Sequence, residues 1–85
     1  MIIMPNPIVM LKIKRLYPYK ITRVAIKDED TNKWSCALIE VLNDGSLGDV
    51  IYSMESYEFD TDQMALSQMS IVIDLVMEGV RVMSN

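Results

Sequence analysis

The sequence predicts one α+β domain, in which an antiparallel meander of three to four strands packs against one long C-terminal helix. Through the first two thirds of the chain, several segments alternate in side-chain character, as strands do. Small polar residues that favour turns separate these segments. From about residue 61 onward the apolar residues recur every three to four positions, which is the spacing of a helix.

The chain has 85 residues, of which 51% are hydrophobic, so it can build one core but not two. Residues 1–7 are predicted to be irregular because Pro5 and Pro7 interrupt backbone pairing. Residues 1–4 lack the basic start and the long apolar stretch of an export signal. Cys36 stands alone and cannot form an internal disulfide. We therefore expect a soluble cytoplasmic protein with a buried thiol and no membrane contact.

The N-terminal third is predicted to contain two strands. Residues 8–16 alternate between Val9, Leu11 and Ile13 on one side and mostly basic residues on the other. Pro18 then marks a bend, and residues 20–27 form the second strand. Residues 28–33 are all polar, which predicts an exposed hairpin turn.

Residues 34–42 form the most apolar predicted strand, with apolar side chains on both faces. This composition indicates a central strand, or a strand whose outer face meets another chain. Residues 43–45 supply a turn, and residues 49–54 form the last strand. The sequence thus places antiparallel strands over residues 8–54.

The C-terminal helix is predicted over residues 61–83. Asp60 fits the N-cap, and Gln63 occupies the third helical position, where it can bond back to the cap. Phe59 and Met64 have the spacing of a hydrophobic staple across this start.

The helix carries more apolar surface than a small sheet can cover. One arc is predicted to face the sheet, and a second stripe consists of Met64, Ile71, Leu75 and Val82. Residues 1–4 could fold back over this second stripe. We favour the alternative, in which the stripe is a partner or dimer interface, most simply with a second copy of the chain.

The side-chain inventory argues against catalysis. Histidine is absent and Cys36 is the single cysteine, which excludes imidazole catalysis, a Cys-His pair and Cys-rich or His-containing zinc sites. Asp28, Asp30 and Asn32 copy the start of a calcium loop, but the required later glycine and glutamate are missing. We predict no enzyme activity, no metal and no cofactor.

Charge is divided unevenly along the chain. Residues 1–27 contain no acid and hold the basic residues Lys12, Lys14, Arg15, Lys20, Arg23 and Lys27, while all twelve acids follow residue 27. The two parts could neutralise each other across neighbouring strands, which we favour, or could face different partners. Four acids form a candidate acidic contact patch: Glu55, Glu58, Asp60 and Asp62.

The segment from Val24 through the acidic residues 28–30 to Trp34, followed by strands and the helix opening at residues 60–66, resembles in part the pattern of HicB-like antitoxins. Such a resemblance implies a domain that blocks a small toxin. The proline-glycine-cysteine stretch that precedes the helix in that family is missing here. The chain is therefore not assigned to the family.

These observations predict a non-catalytic protein-binding module, homodimeric, that acts by stoichiometric contact with or inhibition of a partner protein. One concrete form is an inhibitor encoded by a phage or mobile element. The alternative is a nucleic-acid-binding accessory protein, whose phosphate contacts would be Lys12, Lys14, Arg15 and Arg23 on basic strands. The acidic pI near 4.5 disfavours this alternative.

Overall fold

The computed structural model describes residues 4–83, with side chains for residues 4–81. The elements in chain order are α1 (Pro7–Leu16), β1 (Ile21–Asp28), β2 (Lys33–Val41), β3 (Leu47–Ser53) and α2 (Asp62–Met83). The strands form one antiparallel sheet in the order β1-β2-β3, with β2 in the centre. The predicted α+β class, the meander and the long C-terminal helix are confirmed.

The predicted first strand over residues 8–16 is wrong, because this segment is the helix α1. The Asn6 side chain caps the helix by accepting a 2.9 Å hydrogen bond from the Val9 N–H. Pro7 occupies the first helical position, where its missing N–H costs nothing. The residues of α1 that become buried are spaced by three: Met10, Ile13 and Leu16. The apolar residues of this segment fit both the two-residue period of a strand and the helical period of about 3.6 residues. Packing against α2 favours the helix.

The two hairpins form where the turn residues predict them. In the first turn the Asp28 carboxylate accepts a 3.0 Å hydrogen bond from the Asp30 N–H, and Asn32 adopts a φ of 59°. In the second, Gly45 adopts a φ of 86°, which glycine tolerates without strain. These turns place β1, β2 and β3 close to the predicted strands over residues 20–27, 34–42 and 49–54.

The predicted α2 helix is confirmed, but Asp60 is not its cap. The Thr61 hydroxyl accepts a 3.2 Å hydrogen bond from the Met64 N–H, so Thr61 is the N-cap residue. Asp60 instead forms an ion pair with Lys33 at the start of β2. Aspartate and threonine can both cap a helix. Because Asp60 pairs with Lys33, the next residue, Thr61, caps α2.

Both helices pack on one face of the sheet. Residues directly opposite each other in neighbouring strands point to the same face, so Arg23 and Leu38 share a face. Arg23 donates hydrogen bonds to the Leu66 carbonyl and the Ser70 hydroxyl of α2, which identifies this face as the helical side. The core between the layers includes Met10, Ile13, Leu16, Ile21, Cys36, Leu38, Ala65, Met69, Val72, Ile73, Val76 and Val80.

The result is a thin molecule that measures 44 × 35 × 17 Å between its outermost Cα atoms. One broad side is helical, and the other is the outer face of the sheet. Within residues 4–83, neither helix is long and apolar enough to cross a membrane.

Candidate binding surfaces

The four residues of the predicted acidic contact patch are all exposed. Asp60 is engaged by Lys33, and the Asp62 carboxylate accepts a 2.8 Å hydrogen bond from the Gln63 N–H. Glu55 and Glu58 lie in the loop between β3 and α2. Across the described residues, no three groups of the kind that ligate metals come together. The arrangement offers surface carboxylates for contact.

Two ionisable groups with raised pKa values belong to the core or pack against it: Cys36 is buried and Tyr52 is partly buried. Cys36 is fully buried in β2, and this burial raises the pKa of its thiol. Burial also raises the pKa of the Tyr52 hydroxyl, and the nearby charge of Glu55 adds to the effect. A thiol with a raised pKa stays protonated at neutral pH and is a poor nucleophile.

The second apolar stripe of α2 remains uncovered over the part that the structure describes. Met64, Ile71 and Leu75 expose 49%, 46% and 42% of their surface. The Val82 side chain lies outside the described residues, as do residues 1–3 of the segment that could have covered the stripe. Met4, the one described residue of that segment, is itself exposed.

A shallow groove of about 330 Å³ opens along the first half of this stripe. Phe59, Met64 and Ile71 supply its apolar lining, and Gln63, Ser67 and Gln68 supply its polar lining. Phe59 is held in place because its backbone exchanges two hydrogen bonds with Trp34 of β2. In the sequence, the acids Asp60 and Asp62 lie between Phe59 and Gln63, the first groove residue of α2. The groove therefore combines an apolar lining with nearby negative charge.

The favoured prediction that the basic and acidic parts neutralise each other stays a prediction, because no ion pair among the described side chains joins the two parts. Among the described side chains, the ion pairs are Lys33–Asp60 and Glu78–Arg81, and neither uses a cation from residues 1–27. Arg23 bonds to α2, and Lys27 lies 6.0 Å above the Trp34 ring. The charge separation of the sequence is thus retained on the surface.

Three of the predicted phosphate contacts lie on α1 and not on a strand. Lys12, Lys14 and Arg15 are exposed, and no ion pair links them to another described residue. The exposed residues Ile8 and Leu11 lie beside Lys12 and Arg15 along a second shallow depression. Arg23 is separated from this group because it faces α2.

The outer face of the sheet is the surface that sequence reasoning identified least clearly. It consists of the residues that alternate with the core-facing ones: Thr22, Val24, Ile26, Asp28, Lys33, Ser35, Ala37, Ile39, Val41, Leu47, Val50 and Ser53. None of them belongs to the helical-side core or packs against it. Leu47 and Val50 expose 57% and 59% of their surface. The apolar outer side of β2 was the signal for this face in the sequence.

Comparison of the chain with protein-family models, with curated proteins and with solved structures gave no match. The surfaces described above are therefore the basis for a functional proposal.

Proposed function

We propose that this protein is a non-catalytic, homodimeric binding module that acts by stoichiometric contact with a partner protein. The observation that carries the proposal is the apolar groove along α2, which lies beside exposed acids. Exposed apolar side chains next to charged ones are typical of surfaces that bind proteins. The absence of histidine and the burial of Cys36 support contact over chemistry.

The charges define the kind of partner that fits the groove. Glu55, Glu58, Asp60 and Asp62 precede or open α2, while Asp74 and Glu78 lie beside the stripe residue Leu75 in the same helix. A partner with an apolar residue surrounded by lysine or arginine would fill the groove and meet these acids. An inhibitor of a protein with a basic surface, encoded by a phage or mobile element, is one form of this function.

The test compares capture of proteins from the native host by the wild type and by two variants. Ile71→Asp places a charge in the groove, and we expect it to lower the affinity for the specific partner at least tenfold, about 1.4 kcal/mol. The matched control is Leu11→Asp, which changes a similarly exposed side chain of α1 and should leave that affinity unchanged. Native mass spectrometry then measures the stoichiometry of the captured complex. The proposal fails if every captured protein binds Ile71→Asp as well as the wild type.

A second candidate function is nucleic-acid binding by α1. The observation in its favour is that Lys12, Lys14 and Arg15 have no acidic partner at contact distance within the described part of the chain. The exposed ring of Tyr19 and the side chain of Lys20 follow directly after α1 and add a stacking group and a further cation. The net charge of −4 opposes this function.

Fluorescence anisotropy with short single-stranded and duplex oligonucleotides at about 50 mM salt tests this candidate, because phosphate contacts are strongest at low salt. If α1 binds the backbone, the double variant Lys12→Gln, Arg15→Gln should weaken binding. It should also reduce the slope of log affinity against log salt by about 1.4 to 1.8. Lack of binding by the wild type at this salt concentration would eliminate the candidate.

A further inference from the structure

The outer sheet face is more apolar than an exposed sheet face normally is. An antiparallel sheet with one covered face usually presents alternating polar side chains to water on the other. Here the solvent-facing positions include Val24, Ile26, Ile39, Leu47 and Val50. Ala37 at the centre is small and almost fully buried between its neighbours, yet it is not part of the helical-side core. This face has the composition of a sheet face that is covered in the functional assembly.

The distribution of charge favours a second copy of the chain as the cover. The outer face holds two charged side chains, Asp28 and Lys33, which have opposite signs and lie opposite each other at the end of the β1–β2 hairpin, so the face carries no net charge. Two copies of a chain with net charge −4 repel each other least where they meet through a neutral surface. The α2 stripe is different, because Asp74, which forms no ion pair with a described residue, lies beside it and would bring like charges of two copies into one interface, while Glu78 is paired with Arg81. A neutral face suits a second copy, and an acid-lined groove suits a basic partner.

The dimensions of the molecule support the same occupant. Its accessible surface of 5686 Å² exceeds the roughly 5,100 Å² that a typical monomer of this mass exposes. Its radius of gyration of 13.1 Å exceeds the roughly 12 Å of a compact chain of this length. Stacking two slabs, each 17 Å thin, through their sheets produces a more compact particle.

We infer that the outer sheet face is a homodimer interface, at which two copies pack sheet against sheet. The two sheets would lie about 10 Å apart, with their outer faces in contact, as in a β-sandwich. The α2 grooves then point away from the interface on opposite sides of the dimer, and each remains open to a partner. This inference deepens the homodimeric part of the proposed function, and its failure would leave the groove as a separate binding surface.

Sedimentation equilibrium of the full chain tests the inference with two matched variants. Val50→Glu changes the outer face and Ile71→Glu changes the α2 stripe, at positions that are both about half exposed. We expect the wild type and Ile71→Glu to have twice the mass of 9.7 kDa at micromolar concentration. Val50→Glu should sediment as a monomer, with a dissociation constant raised at least a hundredfold, because each copy would bury a charge in the interface.

Val50→Thr provides a second variant in case the charge prevents folding. It keeps the branched shape that strands favour and should raise the dissociation constant about tenfold while circular dichroism stays unchanged. A wild type that stays monomeric would overturn the inference. In that case the face would be covered by another segment of the chain or by another protein, and the inference would fail either way. Dissociation by Ile71→Glu but not by the Val50 variants would also overturn it and assign the dimer to α2. Neither result depends on the capture experiment for the groove.

Discussion

Leu38→Ala is expected to lower the free energy of unfolding by about 3 to 5 kcal/mol. Leu38 lies at the middle of the central strand, between Arg23 of β1 and Tyr52 of β3, and its side chain is 0% exposed. It belongs to the core that joins the sheet to both helices. Truncation would remove apolar contacts and leave a cavity that rigid neighbours on three elements cannot fill.

The effect is large relative to the total stability. A domain of 85 residues has a free energy of unfolding of about 4 to 13 kcal/mol, so this single change removes a substantial part of it. Urea denaturation, followed by circular dichroism at one fixed protein concentration, measures the loss. Leu75→Ala is the matched control, because the same atoms are removed from a side chain that is 42% exposed. A loss below 1 kcal/mol for Leu38→Ala would contradict the placement of the core.

The elements that the sequence predicts correctly are those whose local and tertiary preferences agree. The hairpin turns have residues such as Asn32 and Gly45 that accept a positive φ, and α2 has a helical apolar period over 22 residues. Segment 8–16 is ambiguous because its nine mixed apolar and basic residues satisfy both the two-residue period of a strand and the helical period of about 3.6 residues. Its start, Asn6-Pro7, is a favourable cap and first helical residue, and this was the signal that could have identified the helix.

A candidate surface could be predicted from the sequence where all its residues lie in one helix or strand. It could not be predicted where it depends on how several elements pack together. The α2 stripe follows from helical spacing alone, and Met64, Ile71 and Leu75 are exposed as predicted. The alternation of residues 8–16 places the basic group on strands, and the sequence pattern does not reveal that Arg23 bonds to α2. Spacing cannot show which of the two faces of a sheet a helix will cover. The outer sheet face therefore required the strand register and the positions of the helices.

Enlarging residue 79 of α2 and shortening residue 10 of α1 are expected to have non-additive effects on the free energy of unfolding, because the two residues are in contact. A Cβ atom at residue 79 would lie 2.7 Å from the Met10 Cε atom, so the flexible end of Met10 would have to move, and a larger side chain would compete for its space. Gly79→Leu should lower the free energy of unfolding by about 1 to 2 kcal/mol, since overpacking outweighs the gain in helix propensity. Met10→Ala should lower it by about 2 to 3 kcal/mol, because Met10 is buried.

The double variant Gly79→Leu, Met10→Ala should lose less than the sum of the two single changes by at least about 1 kcal/mol, because the leucine can occupy the space that the methionine vacates. Urea denaturation of the four proteins closes the cycle. The control cycle pairs Gly79→Leu with Leu11→Ala, an exposed position of α1, and should be additive. If segment 8–16 were a strand in the sheet, position 10 would have no special relation to position 79, and both cycles would be additive. Coupling confined to Met10 therefore tests the helical assignment of α1, the element on which the sequence and the structure disagree.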